Sequence, residues 1–167
     1  MFAPPASDPD PTPPDCFRLA EIQALQSFEA QELLDVNYYL WLNRTEAGAV
    51  PYRFLYSLEL IFEVSGALLL SSGEDTTAIR LLAAEALIQT ARDLQTLHGQ
   101  VSVQRVNAGA FPLWQPVVGH ALQAIRLSRN AAGLYLNDAL VLDFGHRQVL
   151  VQLSRQEGLE LSVYADA

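Results

Sequence analysis

Tyr52–Phe62, YRFLYSLELIF, alternates along its whole length, and the rest of the fold can be read outward from it. Phe54, Tyr56, Leu58, Leu60 and Phe62 fall at every second position, and Ser57, Glu59, Ile61 and Glu63 fall between them. A period of two is that of a β-strand with one face buried. Ser65-Gly66 predicts a hairpin turn into a returning strand over Ala67–Ser72. Upstream, Asn37–Asn43 (NYYLWLN) predicts another strand, with Tyr38, Leu40 and Leu42 on one face and Tyr39 and Trp41 on the other. Arg44–Pro51, which holds Gly48 and Pro51, reads as the connecting turn.

The same grammar returns later in the chain. Ala121–Arg129 predicts a strand and Asn130–Gly133 a turn. Leu134–Phe144 then predicts a long strand with Leu136, Leu140, Leu142 and Phe144 on one face. Gly145–Arg147 turns the chain, Gln148–Ser154 returns, and Leu159–Tyr164 follows the Glu157-Gly158 turn. At a gapless offset of 82 (140 − 58), Leu58, Leu60, Phe62, Leu68, Ser72, Ile79 and Leu81 fall on Leu140, Leu142, Phe144, Leu150, Ser154, Leu161 and Val163. An antiparallel meander of three or four strands cannot bury its apolar face alone, so two such units must pack on each other or share a sheet.

Between the units, Leu82, Ala83, Ala86, Leu87, Ala91, Leu94 and Leu97 follow the helical period, and Gly99 is a stop signal. The start is ambiguous. Asp75 or Thr76 would cap a helix that includes Ile79, whereas the repeat makes Ile79–Leu81 a strand. Val101–Val106 reads as a short strand and Asn107–Pro116 as loop. Near the front, Asp15 is a candidate cap for a helix through Phe17, Ile22 and Leu25, and Glu29–Leu34 reads as a short helical turn.

The expectation is an α+β fold: two similar antiparallel β-meanders, an internal duplication, with one main helix between them. The organisation expected is a Pro-rich tail over 1–15 and a single domain over 16–167. Its β-units span approximately 36–81 and 114–165, joined by a helix over approximately 82–98. Six of nine prolines stand in the first 15 residues, which predicts a disordered or polyproline-like leader. That leader has no basic n-region and no apolar h-region, so it does not read as a signal peptide. No apolar run approaches the ~18 residues of a membrane span.

Charge narrows the chemistry. Nineteen acids face ten bases, all arginine, for a net charge of −9. Without lysine there is no P-loop lysine and no Schiff-base lysine. The acidic balance argues against a nucleic-acid backbone, whose phosphates need clustered cations, and allows a basic protein partner. The single cysteine, Cys16, fits ordinary packing in a reducing, cytoplasmic setting. His98, His120 and His146 show no metal-ligand spacing. His98 suits a helix C-terminus, and the other two suit solvated loops. Ser71-Ser72-Gly73 reads as a turn rather than a nucleophile elbow, and no glycine-rich phosphate loop occurs. No cofactor is expected.

Candidate partner-binding residues remain. Glu59, Glu63 and Asp143 are expected on the solvent side of the long strands, forming an acidic patch if those strands lie side by side. Glu74 and Asp75 sit before the helix and read as caps or as part of an acidic surface. Tyr39 and Trp41 are expected to lie under the Leu82–Leu97 helix, the alternative being an exposed aromatic contact for a partner.

Trp114, Val117-Val118-Gly119, Ile125, Leu140-Val141-Leu142-Asp143-Phe144 and Val149-Leu150-Val151 resemble a W-x-x-x-x-G…L-x-L-x-F β-unit of small uncharacterised bacterial proteins, some associated with toxin-immunity loci. Gly66 matches the hairpin glycine of that pattern, and Gly145-His146-Arg147-Gln148 departs from it. The resemblance implies a non-enzymatic protein-binding domain of the immunity type and brings no catalytic residues. The alternatives are a small enzyme or ligand-binding domain with a pocket between the two β-units, and self-association through the Tyr39/Trp41 face.

Overall fold

The computed structural model describes residues 11–43, 52–72, 76–97 and 101–164. The first ten residues of the expected tail, the 44–51 turn, Glu74, Asp75, His98 and Gly99 lie outside the described residues.

β1 (Leu33–Asn43) pairs antiparallel with β2 (Tyr52–Phe62), which turns into β3 (Gly66–Ser71) and the two-residue β4 (Arg80–Leu81). Residues 80–81 are therefore strand, and helix α2 (Ala84–Leu97) begins after them. β5 (Val101–Asn107) comes back antiparallel along the other edge of β1. In the second half, β6 (Ala124–Arg126), β7 (Ala139–Asp143), β8 (Gln148–Ser154) and β9 (Gly158–Val163) pair antiparallel in chain order. β9 then meets β2 in one parallel pairing, Leu55 with Gly158. That contact joins the nine strands among the described residues into one mixed, curled sheet. The pairings inside each half are antiparallel, and the parallel contact lies between the halves.

Gly158 makes the seam possible. Its φ is +80°, and a Cβ there would overlap the Leu55 carbonyl oxygen. A residue with a side chain would be strained by the dihedral and would clash with backbone as well.

β2 does not alternate as its sequence suggests. Tyr39 pairs with Ser57 and Leu40 with Leu55, so Tyr56 is the extra residue of a β-bulge. Before the bulge Leu55 faces the main core; after it Leu58, Leu60 and Phe62 do. Phe54 and Tyr56 pack on the opposite side with Leu69 and Leu87. The expected single face of Phe54, Tyr56, Leu58, Leu60 and Phe62 is thus split, and β2 is buried on both sides.

The offset of 82 relates residues of like burial on the outgoing strands, Leu58, Leu60 and Phe62 with Leu140, Leu142 and Phe144. It slips on the return strands. Leu58 pairs with Leu70 and Leu60 with Leu68, but Leu140 pairs with Val151 and Leu142 with Val149. The Gly145 turn is one residue shorter than the Ser65 turn, so Val149 rather than Leu150 occupies the place of Leu68. A one-residue change moves a strand's side chains to the other face.

One core cluster gathers these residues with Phe17, Leu33, Val36 and Trp114. The Trp114 indole N–H donates to the Tyr38 hydroxyl at 2.6 Å, which satisfies a buried donor. Helix α1 (Leu19–Gln26) closes one side through Leu25. Its N-cap is Arg18, whose backbone N–H donates to Glu21 Oε1 at 3.0 Å, in place of the expected Asp15. Residues before it are already engaged: Cys16 bridges Leu136, and the Phe17 N–H donates to the Tyr135 carbonyl at 2.8 Å. Cys16 is buried there, as ordinary packing predicts.

Two further expectations change for similar reasons. Glu29–Leu34 is not a helical turn throughout, because the Ala30 and Leu33 N–H groups bond the Leu122 and His120 carbonyls and β1 starts at Leu33. Leu134–Phe144 is not one strand. Asn137 donates to the Pro14 and Asp15 carbonyls, which ties the first part to the N-terminal segment and leaves β7 to begin at Ala139. Arg80 reinforces that tie, donating to Glu21 Oε1 at 2.6 Å and to the Cys16 and Pro14 carbonyls at 3.2 and 2.9 Å.

Candidate functional site

The face of the sheet turned away from the main core is built by strand pairing in rows. One row places Leu69, Glu59, Asn37 and Asn107 side by side across β3, β2, β1 and β5. The next places Ser71, Ser57, Tyr39 and Arg105, and a third places Phe54, Trp41 and Val103. Helix α2 lies over these rows and presents Ala84, Leu87, Ile88 and Ala91, the i, i+3, i+4, i+7 stripe of an amphipathic helix. The expected stripe included Ala83 and Ala86, which are exposed.

Among the described side chains of α2, Leu87 is the buried anchor, only 6% exposed against Phe54, Tyr56 and Leu69. The alanines on either side of it are too small to reach the sheet. The result is a cleft of about 240 Å³ between helix and strands. Leu69, Leu87, Ile88 and Val103 form its apolar walls, and Tyr39, Glu59 and Arg105 form its polar end.

That polar end is a connected network. Glu59 Oε1 accepts from Asn37 Nδ2 at 2.8 Å and lies 3.5 Å from the Arg105 guanidinium; its Oε2 accepts from the Tyr39 hydroxyl at 3.4 Å. Asn107 Nδ2 donates to Asn37 Oδ1 at 3.1 Å and to both Asp35 oxygens at 2.9 Å. The Glu59 side chain is 12% exposed and Arg105 is 58% exposed. Glu59 is therefore held and partly desolvated, while the guanidinium at the mouth keeps most of its donors in solvent. Burial, and then the Glu59 charge, push the Tyr39 phenol above its ordinary value, with Arg105 opposing. Tyr39 thus stays protonated at neutral pH and donates. The walls can take an aliphatic or aromatic group, and the end presents both signs of charge within one hydrogen-bonded frame.

Of the residues singled out from sequence, Tyr39 and Glu59 line this cleft and Trp41 lies beside it. Trp41 stacks on Tyr56 and Phe54 with ring centroids 4.6 and 5.1 Å apart. Its buried indole N–H has no hydrogen-bond partner among the described residues. Tyr39 and Trp41 are thus packed against Leu87 and Leu82, as a helix-covered face predicts.

Glu63 is exposed at the β2–β3 turn. Asp143 does not face solvent. It is buried, its Oδ2 accepts from Arg126 at 2.7 Å, and its Oδ1 accepts from the Gly145 N–H at 2.8 Å, so it holds the β7–β8 turn. β9 and β8 separate β2 from β7. The acidic patch of Glu59, Glu63 and Asp143 is consequently not assembled, because two of the three carboxylates are engaged by arginines in different parts of the sheet.

Sequence reasoning missed Asn37, Arg105 and Asn107. Asn37 and Arg105 sit in predicted strands and Asn107 at the start of a predicted loop, and only the β1–β5 pairing brings them to Glu59. The structure also joins two histidines expected apart. The His120 and His146 rings lie 4.5 Å apart, and His146 Nε2 donates to the Pro116 carbonyl at 2.7 Å. Among the described residues, no group of three or more His, Cys, Asp or Glu is placed to hold a metal ion, and no helix is long and apolar enough to cross a membrane. Compared with family models, curated proteins and solved structures, the chain matches none.

Proposed function

We propose that this protein is a non-enzymatic binding module whose recognition site is the cleft beneath α2. The observation that carries the reading is one cavity with apolar walls and a fixed Glu59–Arg105–Tyr39 end. Concave, mostly apolar sites with a few convergent polar groups are the usual form of a ligand pocket. The reading differs from the pocket expected between two β-units, since this cleft is lined by α2 and by β1, β2, β3 and β5, with none of its lining residues from the second unit. The internal duplication belongs with this proposal: it rests on the buried outgoing strands and implies that the second unit supports the sheet while the first carries the site.

A protein partner, as the immunity-type resemblance implies, is the second reading. Ile88 favours it, because it is an apolar side chain 54% exposed beside the cleft, and a partner would cover it.

Filling the cleft tests the first reading. Ala84→Leu/Ala91→Leu adds bulk with good helix formers, so the fold should persist by circular dichroism. Small apolar probes that give saturation-transfer NMR signals with the wild-type chain should lose them with this variant. Equal signals from both proteins would place binding elsewhere and end the proposal.

A further inference from the structure

We infer that the cleft takes the zwitterion of a free apolar α-amino acid, an inference that rests on the binding reading above. Glu59 and Arg105 stand 3.5 Å apart at one end of an otherwise apolar cavity. An α-amino acid carries its ammonium and carboxylate on one carbon, at a separation similar to that of this pair. Its ammonium meets the Glu59 carboxylate, whose Oε2 accepts, among the described residues, the long 3.4 Å contact from Tyr39. The carboxylate meets the Arg105 guanidinium, which makes one long contact to Glu59 and whose side chain is 58% exposed. Charge-assisted bonds of this kind are the strong ones, and a guanidinium suits a carboxylate by geometry.

The side chain then lies between Leu87 and Ile88 of α2 and Leu69 and Val103 of the sheet. A cavity of about 240 Å³ admits a leucine- or phenylalanine-sized molecule and excludes a folded peptide segment. A peptide also lacks the paired charges, since its termini lie on different residues. Asn37 and the Asn107–Asp35 contacts hold Glu59 in place beforehand, so little ordering is needed on binding.

Isothermal titration of the full chain at low ionic strength, with a matched ligand set, decides the point. Leucine and phenylalanine supply both charges and the apolar group. 4-Methylpentanoic acid lacks the ammonium, 3-methylbutylamine lacks the carboxylate, glycine lacks the side chain, and N-acetyl-leucinamide carries neither charge. Leucine or phenylalanine is expected to bind at least about tenfold more tightly than each of the others, the effect of one charge-assisted bond. Arg105→Gln and Glu59→Gln should each remove about that factor for the amino acid and leave the neutral amide unchanged. If the acid, the amine or the amide binds as well as leucine, the zwitterion assignment is overturned while the cleft stands as a binding site. If none binds and the apolar probes also fail, both readings fall.

Discussion

The seam between β2 and β9 offers the sharpest test of how the two halves are joined. Gly66 and Gly158 share nearly the same dihedral, φ +76° and +80°. A Cβ on Gly66 meets nothing within 4 Å, whereas one on Gly158 overlaps the Leu55 carbonyl oxygen and crowds Phe54. Gly66→Ala therefore carries only the left-handed conformational cost of about 1–2 kcal/mol. That cost is partly offset by about 0.4–1 kcal/mol from a less flexible unfolded chain. Gly158→Ala carries the same balance plus backbone overlap, typically about 1–3 kcal/mol. It also threatens the bond from the Leu55 N–H to the Glu157 carbonyl at 2.8 Å, worth roughly 1 kcal/mol. The expected losses are about 1 kcal/mol at Gly66 and about 3–5 kcal/mol at Gly158, the second a large share of an ordinary domain's stability. Urea unfolding followed by tryptophan fluorescence measures both. Phe54 stacks on Trp41, so emission from Trp41 should also shift in the native baseline of Gly158→Ala alone. Equal losses within about 0.5 kcal/mol, the usual spread for surface changes, would show that the strands do not meet as described.

Three other outcomes follow from named contacts. Trp114→Phe deletes the donor to the Tyr38 hydroxyl and should cost about 1–3 kcal/mol; a double-mutant cycle with Tyr38→Phe should show coupling, and additivity would refute the bond. Burial holds the Tyr38 phenol above its ordinary value of 10.0, with the Trp114 bond opposing. The folded state thus keeps its proton longer than the unfolded one, so that contribution is complete below about pH 10 and is lost as pH rises toward the folded value. Alkaline unfolding should accordingly be shallower in Tyr38→Phe, and an unchanged profile would contradict the assignment. Arg80→Met removes three bonds to the N-terminal segment and α1 and should raise the rate of limited proteolysis near residues 14–18 with the sheet still folded; no change in cleavage would show that the clamp is idle.

Which parts of this fold were legible in sequence follows from the range of the forces. Alternation in NYYLWLN and LELIF reports which side chains share a face, and those faces are found: Tyr38 and Leu40 inward, Tyr39 and Trp41 under the helix. The helix was legible from its period and lies within two residues of its expected bounds. The bulge at Tyr56 was not. Nothing in YRFLYSLELIF marks the extra residue, because both faces of β2 are covered and an apolar side chain suits either phase. The slip in the return hairpin escaped for a related reason. Val149-Leu150-Val151 is apolar at three successive positions, so the pattern cannot say which residue opposes Leu142, and turn length decides.

The site was half legible on the same logic. Tyr39 and Glu59 could be singled out because an aromatic on a second face and a carboxylate inside a strand are both unusual. Their chemistry could not be assigned, since it depends on Arg105, 46 positions from Glu59 and set beside it only by the β1–β5 pairing. Asp143 shows the converse. It looked like a solvent-facing acid by alternation, yet it caps its own turn and pairs with Arg126, a contact between neighbouring strands that alternation does not encode. In a chain of −9 net charge the informative acids are therefore those that arginine neutralises in place. Charge excess describes the surface, while Glu59–Arg105 and Asp143–Arg126 each fix a largely covered carboxylate at a defined point of the sheet. Of these two pairs, Glu59–Arg105 is the one that lines the apolar cleft under α2. That difference, rather than overall acidity, is the reason to place recognition under α2.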